Sequence, residues 1–89
     1  MHSMTLEQLR ATAAAGGVAG VTLKGQGGAF MLRIATRSGQ DAVLAKARST
    51  EPRRFGNPAS AMILLREVGI AVAQLDATDW NPDEQDMSR

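Results

Sequence analysis

The chain has no cysteine and no tyrosine, and its 89 residues include one histidine, one tryptophan and two phenylalanines. Without cysteine there is no disulfide framework, no thiolate nucleophile and no thiolate metal ligand. With His2 as the single imidazole, a tetrahedral zinc site or a histidine-based catalytic triad is excluded in practice. An aromatic content of 3% leaves the core to Leu, Ile, Val, Met and Ala, and leaves few rings on which nucleic-acid bases could stack. No apolar run approaches the ~20 residues that span a bilayer. No basic stretch followed by an apolar one marks a signal peptide. The expectation is a cytoplasmic, non-enzymatic domain with no cofactor, no metal, no membrane partner and no evident small-molecule substrate.

A chain this short buries roughly 60–65% of its unfolded surface, so its own core is marginal. An aliphatic core of that size favours gaining buried area by self-association. Met1-His2-Ser3 ahead of Met4 reads as an expression remnant before a natural start. The domain is therefore expected over 4–76, with 77–89 as an acidic, partly disordered tail.

Thr5 to Ala15 has the pattern of a helix: Thr5 as N-cap with Gln8 at N3 forms a capping box, and Gly16-Gly17 stops it. Val18–Gln26, Ala29–Arg37 and Asp41–Arg48 read as three strands joined by the turns Gly25–Gly28 and Ser38–Gln40, hence an antiparallel meander. Asn57 caps a second helix with Pro58 at N1, and Ala61, Leu64, Leu65 and Val68 form its apolar stripe. Ile70–Leu75 reads as a fourth strand. The predicted fold is α+β, an antiparallel three- to four-stranded sheet with two helices on one face, in the order α-β-β-β-α-β.

What the chain does have is a polarised charge. Lys24, Arg33, Arg37, Lys46, Arg48, Arg53 and Arg54 stand against Asp41 and Glu51, a local charge of +5 between positions 24 and 54. From Asp76 onward five acidic residues face Arg89 alone, a local charge of −4. Strand alternation puts Val21, Leu23, Phe30, Leu32, Ile34, Val43, Ala45 and Ala47 toward the helices. Thr22, Lys24, Met31, Arg33, Arg37, Leu44, Lys46 and Arg48 then face away. The third strand is the weakest assignment, because Ala42 and Leu44 compete for the core and a one-residue slip reverses every side chain.

Two readings of the outward face stand open. It is a solvated face kept wet by long charged side chains, or it lies on DNA, with Lys24, Arg33, Arg37, Lys46 and Arg48 on phosphates or bases and Arg53 and Arg54 gripping the backbone at the rim. The alternative is a protein-interaction or antitoxin-like module, or a homodimer, with no direct nucleic-acid contact, met through Met31, Leu44, Met62 or Trp80. For Trp80 the bland reading is that it seals a core edge. Met62 is open between core and interface, and Ile63 is expected to be covered.

The glycines of Gly25-x-Gly27-Gly28 lack the following Lys-Ser/Thr and the helix of a phosphate loop, so they are turn residues. The carboxylates Asp76, Asp79, Asp83, Glu84 and Asp86 crowd into the expected tail, where no rigid spacing for acid–base chemistry can be held.

The segment 42–61 (AVLAKARSTEPRRFGNPASA), the opening Thr5–Arg10 and the run Trp80–Glu84 resemble small partition-associated, ParC-like proteins of proteobacterial plasmids and integrative elements. The resemblance covers almost the whole chain from Met4. It implies a role in plasmid partition or maintenance and carries no catalytic residues. It also implies relatives that run on past the end of this chain. The three-strands-then-helix order is similar in outline to DNA-binding domains that read a groove with a sheet.

Overall fold

A computed structural model describes residues 2–83, with the elements β1 (His2–Met4), α1 (Leu6–Ala14), β2 (Val18–Gly27), β3 (Ala29–Thr36), β4 (Asp41–Leu44), α2 (Pro58–Glu67) and β5 (Gln74–Trp80). The class is α+β with two helices, as the pattern predicts, but the sheet differs. It has five strands in the order β1-β4-β3-β2-β5. β2, β3 and β4 form the expected antiparallel meander. Both edges are parallel, β1 along β4 and β5 along β2. A helix between two strands carries the chain back to the end where it began, so the next strand runs parallel. The β1–α1–β2 crossover spans β4 and β3; β4–α2–β5 spans β3 and β2. Both travel the same way across the sheet, so one right-handed sense places both helices on one face. A single core cluster joins Leu9, Ala61, Leu64 and Leu65 to Val21, Leu23, Phe30, Leu32, Ile34 and Leu44.

Both helix starts follow the sequence. The Gln8 N–H donates to Thr5 Oγ1 (3.1 Å) and the Thr5 N–H to Gln8 Oε1 (2.9 Å), closing the capping box. Asn57 Oδ1 accepts from the Ser60 N–H at 2.9 Å.

Three expectations meet the structure at the chain ends and in β4. His2 and Ser3, set aside from the fold as part of a remnant, are paired in β1, and the Met4 carbonyl at its end accepts the Ala45 N–H at 2.8 Å. The last strand is Gln74–Trp80 rather than Ile70–Leu75, so the first five residues from Asp76 belong to the sheet and the domain does not stop at 76. The expected disorder of the C-terminal end concerns residues 84–89 in part, which lie outside the described residues. Third, β4 has the opposite parity: Ala42 and Leu44 are buried and Val43 is outward, paired with Arg33. The strand also ends at Leu44. An Ala45·Pro52 bridge follows, and the chain returns to β3 where Phe55 and Phe30 exchange both backbone hydrogen bonds at 2.8 Å. Residues 46–54 are thus an excursion from the sheet, not its third strand.

Candidate nucleic-acid interface

The outward sheet face carries Lys24 on β2 and Arg33 on β3, as the alternation requires. Neither is a free cation. Arg33 Nη2 donates to Asp41 Oδ2 at 2.7 Å, and Lys24 Nζ lies 3.6 Å from Asp76 Oδ2 and 3.9 Å from Asp79 Oδ2. Cross-strand register explains both pairs. Lys24 is paired with Asp76 in the β2–β5 ladder, and Asp41 is two residues before Val43, the partner of Arg33 in the β3–β4 ladder. Hydrogen bonds from the Thr78 hydroxyl and backbone N–H, together with the Lys24 ammonium, hold the Asp76 carboxyl below its ordinary value. The face between these pairs is a shallow depression of about 560 Å³ lined by Thr22, Ala35, Gln74 and Leu75 besides the charged groups. It is charge-balanced, not basic.

The remaining basic residues are elsewhere. Arg37 follows the end of β3, and its Nε donates to the Gly16 carbonyl at 2.8 Å, while its backbone N–H donates to the Gly17 carbonyl at 2.8 Å. It closes the C-terminal end of α1 instead of extending the face. Lys46 and Arg48 leave the face with the excursion after Leu44, because β4 stops there. The Lys46 N–H donates to the Glu51 carbonyl (2.9 Å), the Ser49 N–H to the Lys46 carbonyl (3.2 Å), and Lys46 Nζ lies 3.4 Å from Glu51 Oε2. Arg48 turns the loop with a left-handed φ of 58°, a conformation that disfavours a residue with a Cβ. Arg53 is anchored twice, by its N–H on the Leu44 carbonyl (2.8 Å) and by its guanidinium 5.2 Å from the centroid of the Phe55 ring. Lys46, Arg48 and Arg53 share one concavity of about 500 Å³ with Thr5, Leu6, Glu7, Ala45 and Ala47. Arg54 is exposed and follows Arg53 in the chain. Arg48 and Arg54 have no hydrogen bond or ion pair among the described residues. The seven basic residues expected to form one surface therefore separate into a compensated face, a helix tie and a loop cluster.

The candidate partner residues separate as well. Leu44 is 0% exposed and belongs to the core, so it cannot meet a partner. Met62 is half-buried against the same core. Met31 is half-buried on the outward face, opposite Lys24. Trp80 lies 5.2 Å from Phe30, ring centroid to ring centroid, and seals the core under β5. Its Nε1 is buried without an acceptor among the described residues. Ile63, expected to be covered, is 63% exposed on the outer side of α2, and Val72 and Leu75 are exposed too. Leu75 is legible in the sequence as apolar; its exposure follows only from β5 being an edge.

No helix among the described residues is long and apolar enough to cross a membrane. No protein-family model, no curated protein and no solved structure matches the chain.

Proposed function

We propose that this chain is a non-enzymatic accessory module that binds DNA, or a protein held on DNA, through the loop cluster Lys46, Arg48, Arg53 and Arg54. The setting is the one its resemblance implies, maintenance of a mobile element in the cytoplasm. One observation carries the reading: charge compensation is uneven. The cations of the sheet face are matched by carboxylates, whereas two cations of the loop are unmatched among the described residues: Arg48, which lines a concavity together with Lys46 and Arg53, and the exposed Arg54 that follows Arg53 in the chain. Unmatched cations held by a folded loop release counterions when they meet phosphates, and that release drives association. The distribution of charge thus supports a rim, not the open face of the sheet.

The test is a duplex-DNA titration at several salt concentrations. Arg48→Gly combined with Arg54→Ala is expected to weaken binding and to flatten the plot of log affinity against log salt, by roughly one unit for each phosphate no longer neutralised. Glycine suits the left-handed φ at position 48, so this variant removes charge without a folding penalty. Arg33→Ala is expected to leave the slope unchanged. Absence of binding at low salt refutes the reading.

A further inference from the structure

The loop cluster is concave, and its shape narrows what it can hold. Lys46, Arg48 and Arg53 line a depression that Glu7 lines as well. A protein that reads base edges must push a helix or a ribbon into a groove roughly 12 Å wide. The cluster offers no protruding element: α1 contributes only its first residues, and residues 46–51 fold back on themselves through the Lys46–Glu51 and Ser49–Lys46 backbone hydrogen bonds. Single strands are held differently, by stacking bases on exposed rings. The ring nearest the cluster, Phe55, is 6% exposed and is covered by the Arg53 guanidinium. Phe30 is buried, and Trp80 lies under β5, at the opposite edge of the sheet from β1 and β4. The Thr5–Gln8 capping box occupies the first turn of α1, so the side chains, not the helix end, supply the positive charge.

Resting on the function proposed above, we infer that the cluster seats the phosphodiester ridge of duplex DNA and reads no sequence. The concavity receives the convex backbone: the Arg48 guanidinium contacts a phosphate from its lining, the exposed Arg54 from beside it, the Lys46 ammonium on exchanging Glu51 for phosphate, and Arg53 is pre-positioned by its stack on Phe55. Glu7 opposes the same phosphates and tempers affinity.

The experiment compares two duplexes of about 20 base pairs with unrelated sequences, a thymidine homopolymer of equal length, and polyglutamate as an acidic polypeptide. Three to four phosphate contacts give an expected salt slope of about −3 for both duplexes. The duplexes are expected to bind within about threefold of one another, the single strand more weakly with a shallower slope, and polyglutamate negligibly. Glu7→Gln is expected to tighten duplex binding severalfold at low salt. A preference for one duplex above tenfold, a tighter single strand, or binding to polyglutamate without duplex binding overturns the inference. Binding that depends on Arg48 and Arg54 but favours single strands or one sequence defeats the inference alone. Loss of all nucleic-acid binding, or binding indifferent to Arg48 and Arg54, defeats the underlying proposal.

Discussion

Gly25 sits on β2 where an ideal Cβ would lie 2.6 Å from the Trp80 Cβ, 3.2 Å from Phe30 Cε1 and 3.3 Å from the Asp76 carbonyl oxygen. Two of those neighbours, the Trp80 Cβ and the Asp76 carbonyl, are fixed by backbone, so they cannot swing aside. The absence of a side chain at position 25 lets β5 approach β2 and lets the indole cover Phe30. By sequence Gly25 groups with Gly27 and Gly28 as a turn residue. Its burial inside a ten-residue strand shows a packing role instead. Gly25→Ala is expected to destabilise by about 2 kcal/mol, as overpacking of a tight site does, and for a domain of this size that lowers the melting temperature by roughly 10 °C. Trp80 is the only tryptophan, so its fluorescence reports the transition and the local packing together. An unchanged melting temperature would show that β5 can shift away from β2 without cost.

At the scale of elements, legibility depends on how one-sided each strand is. In β3 the apolar Phe30, Leu32 and Ile34 alternate with Met31, Arg33 and Ala35, and only one parity buries the large side chains; alternation and burial agree. In β4 the run Ala42-Val43-Leu44-Ala45 is apolar at both parities, so alternation carries no information, and the larger Leu44 takes the core. Leu44→Ala is expected to cost about 3 kcal/mol, within the range of buried leucine truncations, whereas Val43→Ala costs under about 1 kcal/mol at a half-covered position; urea unfolding of the two variants distinguishes the registers. β1 is three residues long and β5 is acidic, and neither shows the alternating apolar pattern of a strand. Their pairing comes from tertiary context, namely the crossovers and, for β5, Trp80. The cation–carboxylate pair of β5 is hidden from the sequence for the same reason. Asp76 has the look of a solvated tail residue until β5 sets it beside Lys24. Because its carboxyl is held below the ordinary value of 3.8, Asp76 stabilises the fold at neutral pH, and that contribution is lost as the pH falls below the ordinary value through the lowered one. Wild type is therefore expected to exceed Asp76→Asn in stability at pH 7, with the gap closing at strongly acidic pH. Denaturant midpoints of both proteins across that range provide the check; a gap independent of pH would mean that the carboxylate charge is not its source.

Across the whole molecule the charge separation is spatial as well as sequential. The order β1-β4-β3-β2-β5 puts the loop cluster beside β4 and β1, and Asp76 and Asp79 on the far edge. Where Phe55 pairs with β3 the loop lies three strand spacings from β5, about 14 Å, which exceeds the screening length of about 8 Å at physiological salt, so the acidic edge only weakly offsets the basic one there. The sheet face between them is kept neutral by Asp41 and Asp76, and this suppresses a second basic surface. On the function proposed above, those carboxylates would act on placement, confining an anionic partner to the rim. The double variant Asp41→Asn, Asp76→Asn uncovers Arg33 and weakens the hold on Lys24. Exposed ion pairs contribute little to stability, so the fold should survive, as circular dichroism can verify. Duplex-DNA affinity at low salt is then expected to rise and the salt slope to steepen by roughly one to two units, one for each cation released onto phosphate. Adding Arg33→Ala and Lys24→Ala should return the slope to the wild-type value. A double variant that folds yet binds with wild-type affinity and slope would show that the face was never held back by its carboxylates.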